Sequence, residues 1–399
     1  MRCTKTTPTE KKLYQLMEYC RYRLLLTRRI LRVAQLCFTL KLLLREIKRL
    51  KMKPKITLLT CTHNGERTIQ QSLEAIANQT DVSREVFEVL VVDNASSDKT
   101  FQLSTKTLCR LNLNGRVLKE PKVGKINAFI KGIYEAKGDL VSIIDDDNFI
   151  EPEFIRYTLD IFNRYADVGM VGSANTIFVG QPLPPWFNWV KGRYACAKPT
   201  FEVEEICDEE EVIIGRGGII AGAGSTFRVK PVRDCLERGY RFFNDARREG
   251  MKVSGEDIEL CWLISSLGYR FAFNPRIQLR HAIKPDRLEL KNFEILCKTI
   301  GAGYLGIDPF MFTQTHDAKQ GWPLKWTWQW QLMSKVKRYI KFLISPENIG
   351  ATVEERQFRN WISRVECLGA IQRILAERKN YTQHIRQVAA GMWTELRIR

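Results

Sequence analysis

Three short apolar runs, each closing on small polar or acidic residues, constrain this chain more than any other feature. They are Lys55-Ile56-Thr57-Leu58-Leu59-Thr60-Cys61-Thr62, Phe87-Glu88-Val89-Leu90-Val91-Val92-Asp93-Asn94, and Leu140-Val141-Ser142-Ile143-Ile144, the last running straight into Asp145-Asp146-Asp147. Their length and β-branched content mark them as strands. A helix-like segment follows each, so the alternation predicts an α/β chain with a mainly parallel sheet. Ligands of such sheets bind beyond the carboxyl ends of the strands. Thr60, Thr62, Asp93 and the Asp145 to Asp147 triplet then converge on one crevice.

Taken alone, the triplet reads equally well as an acidic loop facing water. At the end of a buried strand, adjacent carboxylates are tolerable mainly when a cation or strong donors sit among them. That is how a site for a divalent metal and a phosphorylated ligand is built.

Four stretches carry a family resemblance: TLLTCTHNGERTIQQSLEAIANQ, FEVLVVDNASSDKT, KINAFIKGIYEAKGDLVSIIDDDNFIEPEFI and GEDIELCWLISSLGYRF. In order and spacing they resemble the GT-A-fold family-2 glycosyltransferases, over residues 54–290. The resemblance implies a Rossmann-like nucleotide-diphospho-sugar transferase fold, a mixed and mainly parallel sheet with flanking helices. It also implies roles. Thr60, Thr62 and Asp93 match positions that hold the base and ribose of a sugar nucleotide, and Lys125 and Asn127 match a stretch near the nucleotide. Asp145 and Asp147 match the outer residues of the family's Asp-x-Asp motif, whose second carboxylate ligates the metal; Asp146 fills the middle. Glu256-Asp257 matches the Glu-Asp pair at a helix start, whose Asp is the usual catalytic base. His281, in LRHAIKPDRL, falls where related enzymes sometimes place a residue near the metal or diphosphate.

The chemistry stands without the family. A sugar on a nucleoside diphosphate departs from a charged diphosphate, so the transition state needs a cation at those oxygens and a base on the acceptor hydroxyl. Mg²⁺ or Mn²⁺ prefers carboxylate, phosphate and water oxygens and commonly takes only one or two protein carboxylates. Asp147, helped by His281, suffices. Asp257 would take the acceptor proton in a single displacement with inversion, and its place near a helix N-terminus favours negative charge. An isolated Glu-Asp at a helix start is also an ordinary capping arrangement; the upstream motifs tip the reading to catalysis.

Two further segments stay open. The glycines of Gly215-Arg216-Gly217-Gly218 and Ala221-Gly222-Ala223-Gly224-Ser225 would allow close approach to a donor sugar or simply bend a strand. Trp186 and Trp189, in QPLPPWFNWVKGRY, would stack on an acceptor sugar or pack into the core. The acidic stretch from Glu202 to Glu211 reads as solvated.

With 399 residues, 44% of them hydrophobic, the chain exceeds the roughly 250 to 300 residues at which single cores stop growing. The division expected is a basic helical extension over 1–53, a catalytic domain over 54–290 and a helical, Trp-rich basic extension over 291–399. Eleven cysteines, scattered without a Cys-x-x-Cys pair, suggest neither a disulfide framework nor a zinc site. Cys61 and Cys261 sit in apolar patterns as buried thiols, and a reducing cytoplasm fits.

The net charge of +18 concentrates in the flanks. Leu26, Ile30, Val33, Cys37, Leu40, Leu44 and Ile47 recur at helical spacing with Arg and Lys on the other faces. The longest uncharged run there, Val33 to Leu40, is far short of the roughly 20 residues that span a bilayer. A second region places Trp322, Trp326, Trp328 and Trp330 ahead of Lys335, Lys337, Arg338 and Lys341. Both suit the headgroup region of an anionic membrane, the inner face of the cell membrane in particular, or a helical extension packed on the catalytic domain. No nucleic-acid recognition motif is present, and acids in the crevice would repel phosphates unless a metal intervened.

The favoured reading is a peripheral, inverting glycosyltransferase with a nucleotide-sugar donor, UDP-linked, and a glycan or lipid-linked acceptor. A nucleotidyltransferase on a related fold, or a non-catalytic protein binding membrane or nucleic acid, are the alternatives.

Overall fold

The computed structural model describes residues 53–207, 212–244, 247–248, 251–253, 255–315, 327–344, 352–391 and 394–398. The first two apolar runs form β1 (Ile56–Thr62) and β2 (Phe87–Asn94); β3 (Gly115–Glu120) follows, and the third run forms β4 (Leu140–Ile143). Strand β1 lies between β2 and β4 and is parallel to both, with Thr62 level with Asp93 and Leu59 level with Ile143.

Side-chain alternation along these strands feeds two cores, one on each face. Leu59, Leu90 and Val92 pack with Phe129 and Ile133 of helix α3 (Lys125–Glu135). Ile56, Leu58, Val89 and Val91 pack instead with Ile69, Leu73 and Ile76 of α1 (Ile69–Ala77). Between β2 and β3 runs α2 (Thr100–Arg110). Helices α1 and α3 each bury an apolar stripe, whereas α2 turns Thr100, Ser104 and Thr107 inward with Leu108; burial on both faces is why the strands read as near-continuous hydrophobic runs.

Beyond β4 come β5 (Asn148–Ile150), helix α4 (Phe154–Arg164), β6 (Val168–Phe178), the short α5 (Phe187–Val190), β7 (Thr200–Cys207), β8 (Val212–Ile219) and β9 (Thr226–Arg228). After α6 (Val229–Glu237), a hairpin of two-residue strands, β10 (Arg247–Arg248) and β11 (Met251–Lys252), leads to α7 (Glu256–Ser266) and β12 (Arg270–Ala282). The sheet order is β3-β2-β1-β4-β9-β6-β12-β8-β7, with β5 pairing β12 from the side. Along that order only β9 and β8 run against the rest. The result is the mixed, mainly parallel sheet with flanking helices that the sequence predicts.

The last third of the chain contributes α8 (Leu290–Gly303), α9 (Asp308–Thr315), α10 (Trp328–Ile344) and α11 (Val353–Ala390). Thr352 caps α11, its side chain accepting from the Glu355 N–H, which satisfies a backbone donor the helix leaves free. The described residues from Pro54 onward form one compact unit; the basic helical stretch expected over Leu26 to Ile47 lies outside the described residues. Among the described residues no helix is long and apolar enough to cross a membrane.

Trp186 and Trp189 take the packing alternative. Trp186 stacks on Phe293 with ring centroids 4.9 Å apart, and both tryptophans meet Phe358 of α11. The Gly215 to Gly218 segment lies in β8 against β7, where it accommodates a shift in register. Cys261 is fully buried, as expected, but Cys61 is only half-buried because it sits at the open end of β1.

Candidate active site

The carboxyl ends of β1, β2 and β4 open into a cleft of about 470 Å³. Its lining includes Thr62, Lys125, Asp145, Asp146, Asp147 and His281, brought together from separate sequence motifs. Thr60, Asp93, Asn127 and Asp257 do not line it. Thr60 and Asp93 lie just beneath, buried, and Thr60 Oγ1 and Asp93 Oδ1 have no hydrogen-bond partner. Asn127 braces the loop ahead of α3, its Nδ2 donating to the Val123 carbonyl at 3.2 Å.

The triplet is a turn held from several sides. Asp145 N–H donates to Asn148 Oδ1 at 3.2 Å and the Asn148 N–H donates back to the Asp145 carbonyl at 3.0 Å. Thr62 Oγ1 donates to Asp146 Oδ2 at 2.7 Å. The β1–α1 loop passes so close that a Cβ on Gly65 would collide with Asp146 Oδ2 and Thr62 Oγ1, so the close approach requires glycine. Burial, then the neighbouring Asp147 and Asp145, push the Asp146 carboxyl up to about 6, against the pull of the Thr62 hydroxyl.

Asp147 has the opposite fate. Burial works against its charge, but hydrogen bonding and attraction from His281, with Arg287 and Lys125 beyond, hold it below the usual carboxylate range. His281 Nε2 stands 3.6 Å from Asp147 Oδ2, and its Nδ1 donates to the Tyr194 carbonyl at 2.9 Å. Burial disfavours the imidazolium, yet Asp147, Cys196 and Tyr194 outweigh it and push His281 up to about 10.

Lys125 joins the two halves of the site. Its Nζ lies 3.1 Å from Asp145 Oδ1 and 3.4 Å from Glu256 Oε1, with 38% of the side chain exposed to the cleft. Burial would lower this ammonium, but Asp145, Glu256 and Asp257 raise it well above the ordinary lysine value. It is a fixed positive charge between the acidic triplet and the start of α7.

Asp257 sits one residue behind Glu256 in the first turn of α7. Its Oδ2 accepts from the Gly222 N–H at 2.8 Å and its Oδ1 from the Ile258 N–H at 2.9 Å. A Cβ on Gly222 would stand 2.8 Å from Asp257 Cβ, so the second glycine segment serves this carboxylate and not a bent strand. Burial, then Glu256, push Asp257 up to about 6. At neutral pH such a group is mostly ionised yet more basic than a free Asp, which suits proton abstraction.

A divalent ion fits the donor set. Asp147 Oδ2 and His281 Nε2 lie 3.6 Å apart, near the roughly 3 Å that separates adjacent ligands on an octahedral ion with bonds of about 2.1 Å. Among the described residues no group of three or more His, Cys, Asp or Glu donors forms a closed cage. That accords with ions that keep waters and phosphates for most of their ligands.

The cleft also holds residues that the strand-end pattern does not single out: Cys61, His63, Asn94 and Arg287 among them. Asn94 adjoins Asp93 and ties two loops together: its Oδ1 accepts from Gly124 N–H at 2.8 Å, and its Nδ2 donates to the Lys122 carbonyl at 2.7 Å. Arg287 follows His281 by six residues, so its basic character in LRHAIKPDRL was the available signal. Desolvation of the half-buried Cys61, opposed by Lys125 and aided by Asp145 and Glu256, pushes its thiol up to about 12, the direction that disfavours the nucleophilic thiolate.

The model for the glycosyl transferase family 2 domain matches residues 57–212. The probable glycosyltransferase YdaM of Bacillus subtilis (strain 168) is 26% identical over 57% of this chain and 50% of its own length. The poly(ribitol-phosphate) beta-N-acetylglucosaminyltransferase TarS of Staphylococcus aureus (strain Mu50 / ATCC 700699) is 31% identical over 26% of this chain and 18% of its own. The chain thus spans half or less of the length of these two relatives. Among solved structures, mannosyltransferase PcManGT from Pyrobaculum calidifontis, in complex with GDP-Man and Mn²⁺, aligns at a TM-score of 0.46 and 16% identity, covering 82% of this chain and 89% of that one.

Proposed function

We propose, from the match of residues 57–212 to the glycosyl transferase family 2 model, that this chain is a transferase of that family and moves a sugar from a nucleoside-diphosphate donor, UDP-linked, to a hydroxyl of a glycan or lipid-linked acceptor. The observation that carries this reading is the meeting of Asp145, Asp147 and Lys125 at one strand-end cleft, with Lys125 also reaching Glu256 beside Asp257 at the start of α7.

Asp147 and His281 would hold Mn²⁺ or Mg²⁺, which supplies charge neutralisation to a departing diphosphate. Lys125 and Arg287 add fixed positive charge to the same side. Asp257 takes the proton of the acceptor hydroxyl as that oxygen bonds to the anomeric carbon. The bond from that carbon to the phosphate oxygen breaks, its electron pair leaves on the diphosphate, and the configuration inverts. Asp145 and Asp146 shape the donor side, with Asp145 holding Lys125 in place.

Residues 54–290 are read as the catalytic domain, and 1–53 and 291–399 as flanks through which it meets an anionic surface such as the inner face of a cell membrane. The described part of that surface is α10, where Trp330, Met333, Val336, Ile340, Leu343 and Ile344 are all exposed beside Lys337, Arg338 and Lys341. Apolar residues flanked by cations suit an anionic headgroup layer.

The test is a panel of sugar nucleotides with and without Mn²⁺, scored by thermal stabilisation and by release of nucleoside diphosphate. Metal-dependent stabilisation and slow hydrolysis with one donor are expected. No response to any nucleotide sugar, with or without metal, would remove the reading.

A further inference from the structure

The C-terminal helix sends a buried cation to the neighbourhood of the catalytic carboxylates. Arg373 of α11 is 1% exposed. Its Nη1 donates to Asn244 Oδ1 at 2.6 Å and to the Ala302 carbonyl at 3.0 Å, and its Nη2 donates to the Phe243 carbonyl at 2.7 Å. The guanidinium also lies over the Phe243 ring, 3.9 Å from its centroid, and its Nε meets Glu377 Oε1 at 3.3 Å. A planar fork that serves several acceptors in fixed directions is something a lysine cannot copy.

Asn244 passes that constraint to α7. Its Nδ2 donates to the Gly255 carbonyl at 2.9 Å and to the Gly303 carbonyl at 3.0 Å. The same Gly255 carbonyl accepts the first hydrogen bond of α7, from the Glu259 N–H at 3.0 Å. Glu259, two residues after Asp257, is fully buried and accepts from the Asn244 N–H, the Phe243 N–H and the Tyr240 hydroxyl at 2.8, 2.8 and 2.7 Å. The helix start bearing Glu256 and Asp257 is thus gripped at its leading carbonyl and at its inward side chain. Both grips run through residues 243 and 244, which Arg373 holds.

We infer that Arg373 is a positioning residue for the reaction: acting through Asn244 and Gly255, it sets the placement of Glu256 and Asp257 against the cleft. The C-terminal helix is then part of the catalytic apparatus without touching substrate. This rests on the assignment of Asp257 as base. A displacement of about 1 Å at a catalytic group, far from the substituted residue, costs up to about 10²-fold in rate.

The experiment compares Arg373→Lys and Asn244→Asp with the parent enzyme and with Asp257→Asn. UDP with Mn²⁺ titrates the binding sites by calorimetry, and hydrolysis of the UDP-sugar that supports turnover gives kcat and KM. Turnover is expressed per UDP-binding site, so poorly folding variants are counted by their folded molecules. Both variants should keep UDP affinity and KM within about 2-fold and lose roughly 10- to 100-fold in kcat per site, with a shifted acid limb in the pH profile of kcat. Unchanged kcat per site in both variants overturns the inference, as does loss of all UDP binding in both, which would make Arg373 a folding residue only. If Asp257→Asn itself turns over normally, the assignment of the base fails instead, and the two failures are separable.

Discussion

His281 and Asp147 are 134 positions apart in the chain, yet His281 Nε2 and Asp147 Oδ2 face each other across 3.6 Å. The pairing of β5 with β12 sets this contact: His281 lies level with Asn148, and the Ala282 N–H donates to the Asp147 carbonyl at 2.8 Å. A register fixed by buried strands cannot slip by one residue without turning His281 to the other face. The pair is therefore preorganised by the strand register.

The first prediction concerns Asp147→Asn. The substitution relieves repulsion on Asp146 but takes away the carboxylate that pairs with buried His281, so the melting temperature should fall while the fold persists. Mn²⁺-dependent UDP binding should disappear. Calorimetry that found the same Mn²⁺-dependent affinity for UDP in the variant would remove Asp147 as a metal ligand.

Asp257→Asn should separate binding from chemistry. The amide has one acceptor oxygen and keeps only one of the two N–H bonds, from Gly222 or Ile258, that hold the present carboxylate, so a modest local loss of stability is expected with the fold intact. Turnover should fall by about 10² to 10⁴, the usual worth of a positioned general base, while UDP affinity stays near that of the parent. Steady-state rates with the preferred donor decide it; near-normal transfer would move the base elsewhere.

Much of this site was legible in the sequence because it lies at the ends of strands whose apolar runs announce themselves. Thr62, Asp145, Asp146 and Asp147 follow such runs directly, and the strand-helix alternation places them on one edge. The sheet's middle was not legible. Strand β9 is three residues long, too short for a period, and its insertion between β4 and β6 is a consequence of tertiary pairing. Lys125 meeting Glu256, and Arg373 meeting Asn244, are contacts across 131 and 129 positions that no local pattern encodes. Trp186 and Trp189 of the Pro-rich loop left a sugar platform and core packing both open in the sequence, and the contacts with Phe293 and Phe358 decide for packing.

The third prediction is a pH dependence of stability centred on His384. This imidazole is buried, with Nε2 donating to the Gly306 carbonyl at 2.8 Å, its ring stacked on Phe243 and its Nδ1 unpartnered. Burial, opposed by the Gly306 hydrogen bond and aided by Arg373, pushes it down from 6.5 to about 4. Between those values the unfolded chain binds the proton and the folded one does not, so stability rises with pH through this window and is lost as pH falls from 6.5 towards 4. A tenfold change in proton affinity is worth about 1.4 kcal/mol, so His384 accounts for a loss on the order of 3 kcal/mol across the window. Melting curves on either side of that window should show a smaller acid loss in His384→Gln than in the parent; identical losses would rule the residue out.

The last prediction tests the flanks. The exposed stripe Trp330, Met333, Val336, Ile340, Leu343 and Ile344 on α10 sits beside Lys337, Arg338 and Lys341, and the basic pattern from Leu26 to Ile47 repeats the design in sequence. If these rest on a membrane, the protein should sediment with anionic phosphatidylserine vesicles and not with neutral ones, and salt should release it by screening the cationic contacts. Replacing Ile340 and Leu343 by Ser should weaken sedimentation at fixed salt, because the apolar contribution scales with the area buried. Deleting residues 1–50 should weaken it further while UDP binding persists, since every residue of the cleft lies beyond the deletion. An intact protein that ignores anionic vesicles at low salt would refute the membrane assignment, and a truncated protein that no longer folds would instead make the N-terminal segment part of the core. Neither result would touch the transferase reading, which depends on the cleft residues and the match over residues 57–212.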